Sequence, residues 1–89
     1  MDYVVKGKIR GRVQGVGFRN YIKKQAEQRG VTGVARNLPD GTVELILQGN
    51  REHVNKLQLL ASIGPESADV RGLNWEFVPA LAIEAFEIE

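Results

Sequence analysis

The chain has no cysteine and only one histidine, His53. Without cysteine there is no disulfide, no thiolate metal site and no cysteine nucleophile. His53 falls near the start of a predicted helix, where a lone histidine is usually a surface residue, so we assign it no catalytic role. The acidic residues are scattered, without the spacing of metal ligands. We therefore expect chemistry that uses no metal, cofactor, thiol or imidazole.

Long apolar runs are also missing, and none approaches the length needed to span a membrane. The first charged residues come too early for a signal peptide. We therefore expect a cytoplasmic protein that does not associate with membranes. The apolar and charged fractions, 43% and 26%, are those of an ordinary globular protein, and the length of 89 residues predicts a single domain over residues 1–89.

The net charge of only +1 conceals a division along the chain. Residues 1–30 carry eight Lys and Arg against two acids, whereas the remainder carries four against nine. A basic half is compatible with an anionic substrate or a nucleic acid. However, half of these cations form a stripe on alternate positions of the first strand: Lys6, Lys8, Arg10 and Arg12. We interpret the stripe as solvation of an exposed sheet face rather than as a binding patch.

The periodicity of the apolar residues predicts the first half of the fold. Strict alternation over residues 3–13 is typical of a half-buried strand, and a helical period runs from Phe18 until Gly30 ends it. Val31–Leu38 and Thr42–Gln48 are predicted to form an antiparallel hairpin around a Pro-Asp-Gly turn.

The second half adds one helix and one or two strands. The helix is capped by Asn50 and stopped by Gly64-Pro65, Asp69–Val78 is a strand, and Phe86 and Ile88 suggest a short last strand joined through Leu81 and Ile83. The order β-α-β-β-α-β predicts an α+β, ferredoxin-like α/β sandwich. We expect an antiparallel sheet with both helices on one face and solvent on the other.

The stretch Gly11–Arg19 joins the first strand to the first helix, with Gly15 and Gly17 at the junction. Glycines allow a sharp turn there, and the helix N-terminus adds unpaired N–H groups and a partial positive charge. Arg19 stands in the first turn, the wrong end of the helix dipole for a cation, and no carboxylate follows it at the third or fourth position. We interpret the stretch as an anion site. The alternative is a tight turn followed by a solvated arginine.

Known phosphate-binding fingerprints do not fit this loop, because no Lys follows the glycines and a third glycine is missing. Two longer stretches are more informative: Val13–Arg19, reading VQGVGFR, and Gly33–Glu44, reading GVARNLPDGTVE. They closely resemble the two signature motifs of the acylphosphatase family, and 64–70 resembles its weaker third segment. Motif order, spacing, chain length and strand order agree over essentially the whole chain. Ala35 departs from the pattern, because many members carry Trp there.

The resemblance implies hydrolysis of the carboxyl–phosphate bond of an acyl phosphate to carboxylate and inorganic phosphate. Arg19 matches the phosphate-binding arginine of the family, and Asn37 matches its water-positioning asparagine. Taken alone, Asn37 before a Pro-Asp-Gly turn would be interpreted as turn chemistry. The implied phosphate loop consists of Gln14, Gly15, Val16, Gly17, Phe18 and Arg19. The expected partners are a small acyl phosphate and inorganic phosphate, with neither nucleic acid nor membrane, and the expected state is a monomer.

Two other functions are open on the sequence. Ferredoxin-like domains that bind RNA stack bases on aromatic residues of the central strands, and Thr42–Gln48 contains no aromatic residue. Domains similar to this one also precede larger carbamoyl-transfer enzymes. A chain that ends at residue 89 favours the stand-alone hydrolase.

Overall fold

The computed structural model describes residues 3–89, so the first two residues of the predicted domain lie outside it. The elements are β1 (Tyr3–Arg12), α1 (Phe18–Glu27), β2 (Thr32–Asn37), β3 (Val43–Gly49), α2 (Arg51–Ile63), β4 (Asp69–Phe77) and β5 (Phe86–Ile88). They follow the predicted order, which confirms the ferredoxin-like α+β class. Over the described residues, neither helix has the length and apolar character needed to cross a membrane.

The strands form one sheet in the order β4-β1-β3-β2-β5. β1 pairs antiparallel with both β3 and β4, and β2 pairs antiparallel with β3 in the predicted hairpin. β5 is different, because it runs parallel to β2, with Gly33 opposite Phe86 and Ala35 opposite Ile88. The chain reverses once after β4 and joins the far edge of the sheet, which gives β5 the direction of β2. The sheet is therefore mixed, and the expected antiparallel pattern holds for its other four strands.

Both helices cover the same face of the sheet, as predicted. α1 buries Phe18, Ile22 and Ala26, and α2 buries Val54, Leu57 and Ala61. These side chains share one core cluster with alternate residues of the strands, among them Val5, Ile9, Val43, Leu45 and Leu47. Full burial of each large aliphatic or aromatic side chain contributes about 1.5–3 kcal/mol. Ala35, the departure from the family pattern, is fully buried in this cluster.

The other face of the sheet carries the basic stripe. Lys6 pairs with Glu44 at 3.6 Å and Lys8 pairs with Asp40 at 2.8 Å, which agrees with the interpretation of the stripe as a solvated face. One end of this face is covered by the connection from β4 to β5. There the Gln48 side chain forms two hydrogen bonds with the main chain of Leu81, at 2.8 and 2.9 Å. Leu81 and Ile83 lie outside any strand, so the expected extension of the last strand through them does not form.

Two aromatic residues of β4 have different surroundings. The ring of Trp75 lies against Gly7, where a Cβ atom would stand only 2.3 Å from a ring carbon. This is the close packing that a glycine on the inner side of β1 predicts. Phe77 lies on the same side of the sheet, because it pairs with the buried Val5 as Trp75 pairs with Gly7, yet it is 76% exposed. It lies at the end of an edge strand and makes an edge-to-face contact with Tyr3.

The turn between β2 and β3 generates a prediction about pH. The Lys8 ammonium, together with the Thr42 hydroxyl and N–H, holds the pKa of Asp40 well below its usual range. Stabilisation by such a carboxylate is complete above its unfolded pKa of about 3.9 and is lost as the pH falls towards the folded value. Asp40→Asn should therefore be less stable than the parent at pH 6, and the difference should shrink between about pH 5 and pH 2.

Urea unfolding at a series of pH values measures this difference. Glu66→Gln provides the control, because Glu66 is exposed and has no ion pair within the described residues. Its effect should stay within about 0.5 kcal/mol. An Asp40→Asn difference of the same size at pH 6 and pH 2 would contradict the ion-pair explanation.

Candidate active site

The loop after β1 starts α1 without a cap. Gly15 and Gly17 have φ of 72° and 78°, a left-handed conformation that glycine adopts without strain. Gly17 is the N-cap residue, no side chain bonds to the exposed helix end, and the first turn contains no acid. α2 shows the contrast: the Asn50 side chain accepts from two N–H groups, as predicted, and Glu52 lies in the first turn. The same chain therefore caps one helix and leaves the other open.

The open helix end presents a row of hydrogen-bond donors. Within residues 3–89, the N–H groups of Gly15 to Arg19 have no protein acceptor, and the first helical bond runs from the N–H of Tyr21 to the Gly17 carbonyl. These donors and the helix dipole favour an anion at this point. Beside them lies a small cavity of about 120 Å³, enough for a group the size of a phosphoryl. Its walls are formed by Val13, Gly15, Gly17, Phe18, Arg19, Asn20 and Ile88.

Arg19 and Asn37 meet at one oxygen atom. Arg19 Nη1 donates to the main-chain oxygen of Glu89 at 2.8 Å, and the N–H of Asn37 donates to the same oxygen at 3.4 Å. The two residues that the sequence singled out are thus neighbours in space, although they are far apart in the printed chain. Arg19 forms no ion pair with a side-chain carboxylate anywhere in residues 3–89, so no acidic side chain neutralises its charge.

The side chain of Asn37 has an unusual environment. Its Oδ1 atom is buried and has no hydrogen-bond partner in the described part of the chain. A buried acceptor left without a donor costs about 1–3 kcal/mol, so such an atom is expected to have a functional or solvent partner. The hydrogen bonds of the following turn use Asp40 and Gln14 instead. Turn chemistry therefore does not account for Asn37.

The rest of the predicted phosphate loop divides into two groups. The cavity is lined by Gly15, Gly17, Phe18 and Arg19. Two loop residues do not line it, Gln14 and Val16, and neither does Asn37 of β2. Gln14 Nε2 donates to the carbonyls of Leu38 and Thr42, at 2.8 and 2.9 Å, and so joins the loop to the turn that follows Asn37. The Val16 carbonyl accepts from Ser67 Oγ at 2.8 Å. The loop is thus held by two distant segments.

Sequence reasoning missed the contribution of the end of the chain. Ile88 lines the cavity, and Glu89 supplies the oxygen shared by Arg19 and Asn37. No local signal identifies either residue, because their position depends on the parallel pairing of β5 with β2. The only indication in the sequence was the alternation of Phe86 and Ile88, which suggested a strand but not its neighbour.

Comparison with known proteins finds one family over almost the whole chain. The family model described as Acylphosphatase matches residues 5–88. A protein of Photobacterium profundum named acylphosphatase is 40% identical over 85 residues, which is 96% of this chain and 94% of that protein. The structure titled as an acylphosphatase from Coxiella burnetii superposes with a TM-score of 0.93 at 33% identity, covering 99% of this chain and 93% of that one.

A larger protein shares the fold alone. A structure of full-length HypF gives a TM-score of 0.92 at 19% identity, and the match covers 100% of this chain but 12% of HypF. Identity at this level shows a common architecture and carries no argument about activity.

The position of Gln14 generates a prediction about the loop. Gln14→Met keeps the size of the side chain but removes both hydrogen bonds to the turn and leaves two carbonyls without this donor. We expect a loss of about 1–3 kcal/mol in the free energy of unfolding, measured with urea. Gln28→Met is the matched control, because the Gln28 side chain is exposed and forms no hydrogen bond within the described residues. Equal stability of the two variants would show that the contact with the turn is unimportant.

Proposed function

This chain belongs to the acylphosphatase family, and we propose that it hydrolyses the carboxyl–phosphate bond of small acyl phosphates, with Arg19 and the loop amides binding the phosphoryl group and Asn37 positioning the attacking water. The observation that carries this proposal is the shared oxygen of Glu89. It brings a guanidinium that pairs with no acidic side chain next to an asparagine whose Oδ1 is buried and unpartnered within residues 3–89. The uncapped start of α1 supplies the remaining donors.

The reaction transfers the phosphoryl group to water. The water oxygen forms a bond to phosphorus while the bond from phosphorus to the carboxyl oxygen breaks, and its electron pair leaves with the carboxylate. The acid of that leaving group has a pKa of about 4, so it departs without a proton and needs no general acid. The attacking water loses its proton to a phosphoryl oxygen or to solvent, because an asparagine side chain is not a base.

What the protein must supply is charge stabilisation and placement. The three outer oxygens of the phosphoryl group carry the negative charge in the transition state. The Arg19 guanidinium offers a planar fork for two of them, and the N–H groups of 15–19 offer fixed dipoles that need no reorganisation. The side-chain amide of Asn37 forms a hydrogen bond with the water and holds its oxygen towards phosphorus. A substrate with a good leaving group requires little more, so few side chains are enough.

The oligomeric state, location and ligands of the protein are also part of the proposal. We infer a monomer in the cytoplasm in which residues 1–89 form one domain and whose ligands are a small acyl phosphate and inorganic phosphate. One core cluster contacts both helices and supports the domain assignment. The open sheet face carries ion-paired lysines, and β3 contributes no aromatic residue on which a base could stack, which argues against RNA binding there.

The first prediction about activity concerns Arg19. The protein should hydrolyse benzoyl phosphate in the presence of EDTA, with inorganic phosphate as a competitor. Arg19→Ala should lower kcat/KM by about 10³-fold or more, because it removes the cation that faces the phosphoryl oxygens. Arg19→Lys should also be strongly impaired, because lysine lacks the planar fork. The rate of benzoate and phosphate release gives kcat/KM for the parent and the two variants.

Lys24→Ala is the control for charge, since Lys24 is an exposed cation on the same helix. It should retain parental kcat/KM. Activity that required a metal ion would refute the proposed mechanism, and an active Arg19→Lys variant would show that charge alone is sufficient.

The second prediction separates water placement from phosphate binding. Asn37→Ala should lower kcat by about 10²–10³, the usual effect of losing one polar group that acts in the transition state. KM and inhibition by phosphate should change little, because the binding donors remain. Asn55→Ala, an exposed asparagine on α2, is the control and should have parental kinetics. Full kcat in the Asn37 variant would exclude the water-positioning role.

A further inference from the structure

Arg36 connects β2 to β3 and to the end of the chain on the open face of the sheet. It lies on β2 directly before Asn37, and its Nε and Nη2 atoms donate to Glu89 Oε1 at 2.8 and 2.6 Å. Its Nη1 atom donates to Glu44 Oε1 on β3 at 3.3 Å. Of the two acidic residues bound by Arg36, only Glu89 also contacts Arg19, through its main-chain oxygen.

The segment that carries this oxygen is otherwise weakly held. β5 has only three residues and pairs with one neighbour, β2. Phe86 anchors its start in the core with 3% of its surface exposed. Beyond its far end the N–H of Glu89 donates to the Ala35 carbonyl at 2.9 Å, and the last bond, from Asn37 to the Glu89 oxygen, is long at 3.4 Å. The ion pair with Arg36 adds a side-chain contact that holds this far end.

We propose that Arg36 is a positioning residue for the phosphate site, which acts by holding Glu89 so that its main-chain oxygen orients the guanidinium of Arg19. The proposal rests on the proposed function, because it assigns Arg19 to phosphate binding. Arg36 itself does not line the cavity, so it acts without touching the substrate. Glu89 connects the two arginines. Its side-chain carboxylate contacts Arg36, and its main-chain oxygen contacts Arg19.

The charges in this chain of contacts explain why the connection is useful. The hydrogen bond and charge of Glu89 raise the pKa of Arg36 above its ordinary value. Because the side-chain carboxylate of Glu89 faces Arg36, it does not compete with an anion for Arg19. The oxygen that Arg19 contacts belongs to the main chain of Glu89, and it also accepts the N–H of Asn37 in a long bond of 3.4 Å. Arg19 is thereby oriented through Nη1, while its Nη2 and Nε atoms have no acceptor within residues 3–89 and remain available to an anion.

The direct readout is the dissociation constant of inorganic phosphate, measured by calorimetric titration of the folded protein. Glu89→Ala keeps the main-chain oxygen and removes only the side chain that binds Arg36. Glu89→Ala and Arg36→Ala should each raise this constant about three- to fivefold, the range expected for an exposed ion pair. The double variant should be no weaker than either single variant, because both substitutions break the same connection. In benzoyl phosphate hydrolysis, KM should rise by a similar factor, with a smaller change in kcat.

Glu44→Gln is the matched control, because Glu44 is the other acid bound by Arg36 and has no contact with Arg19. Arg71→Gln removes an exposed ion pair of β4, at the opposite edge of the sheet. Both should leave phosphate affinity unchanged. Glu89→Gln, which keeps the size of the side chain but not its charge, should weaken phosphate binding in the same direction as Glu89→Ala. The thermal midpoint of every variant separates a loss of positioning from a loss of folding.

Parental phosphate affinity in Glu89→Ala, or additive effects in the double variant, would overturn the inference. The proposed function has a separate test: if the parent neither binds phosphate nor loses hydrolysis with Arg19→Ala, the function itself is wrong. An active parent that depends on Arg19 but not on Glu89 would refute the positioning role alone.

Discussion

The start of α1 concentrates positive charge that the helix itself does not neutralise. Its first N–H groups have no acceptor within residues 3–89, no acid stands in its first turn, and Arg19 adds a full charge there. Each of these features is unfavourable for an isolated helix. The surrounding structure maintains them: Phe18 is fixed in the core, Gln14 binds the neighbouring turn, and Ser67 binds the loop from the far side. Packing of the core and the loop therefore holds a helix start whose own features are unfavourable.

The direction of the strands explains why the site lies at one end of the sheet. β1, β2 and β5 run in the same direction, because β1 and β2 each pair antiparallel with β3 and β5 pairs parallel with β2. Their C-terminal ends therefore lie at the same end of the sheet. The loop follows β1, Asn37 ends β2, and Glu89 follows β5. The parallel β5 is essential to this arrangement, since an antiparallel strand in its place would bring its start rather than its end to the site.

Most of the fold was predictable because its signals are local. Alternation predicted β1, a helical period predicted the buried face of α1, and Asn50 predicted the start of α2. The uncapped start of α1 was predictable for a similar reason, since glycines at a strand–helix junction and an arginine without an acidic neighbour lie within a few residues. The partnership of β5 with β2 was not, because a three-residue strand carries little pattern and its neighbour is chosen by packing at a distance. The role of Glu89 depends on that partnership and was missed with it.

The arrangement also indicates why so small a site suits acyl phosphates. Hydrolysis of an alkyl phosphate ester must protonate a poor leaving group, which requires an acid held next to the bridging oxygen. A carboxylate leaves unaided, so the protein can concentrate on the phosphoryl oxygens and the water. Arg19 contacts a main-chain acceptor, the Glu89 oxygen, while the Glu89 side chain contacts Arg36. The cavity walls come from the loop after β1, the start of α1 and Ile88 of β5.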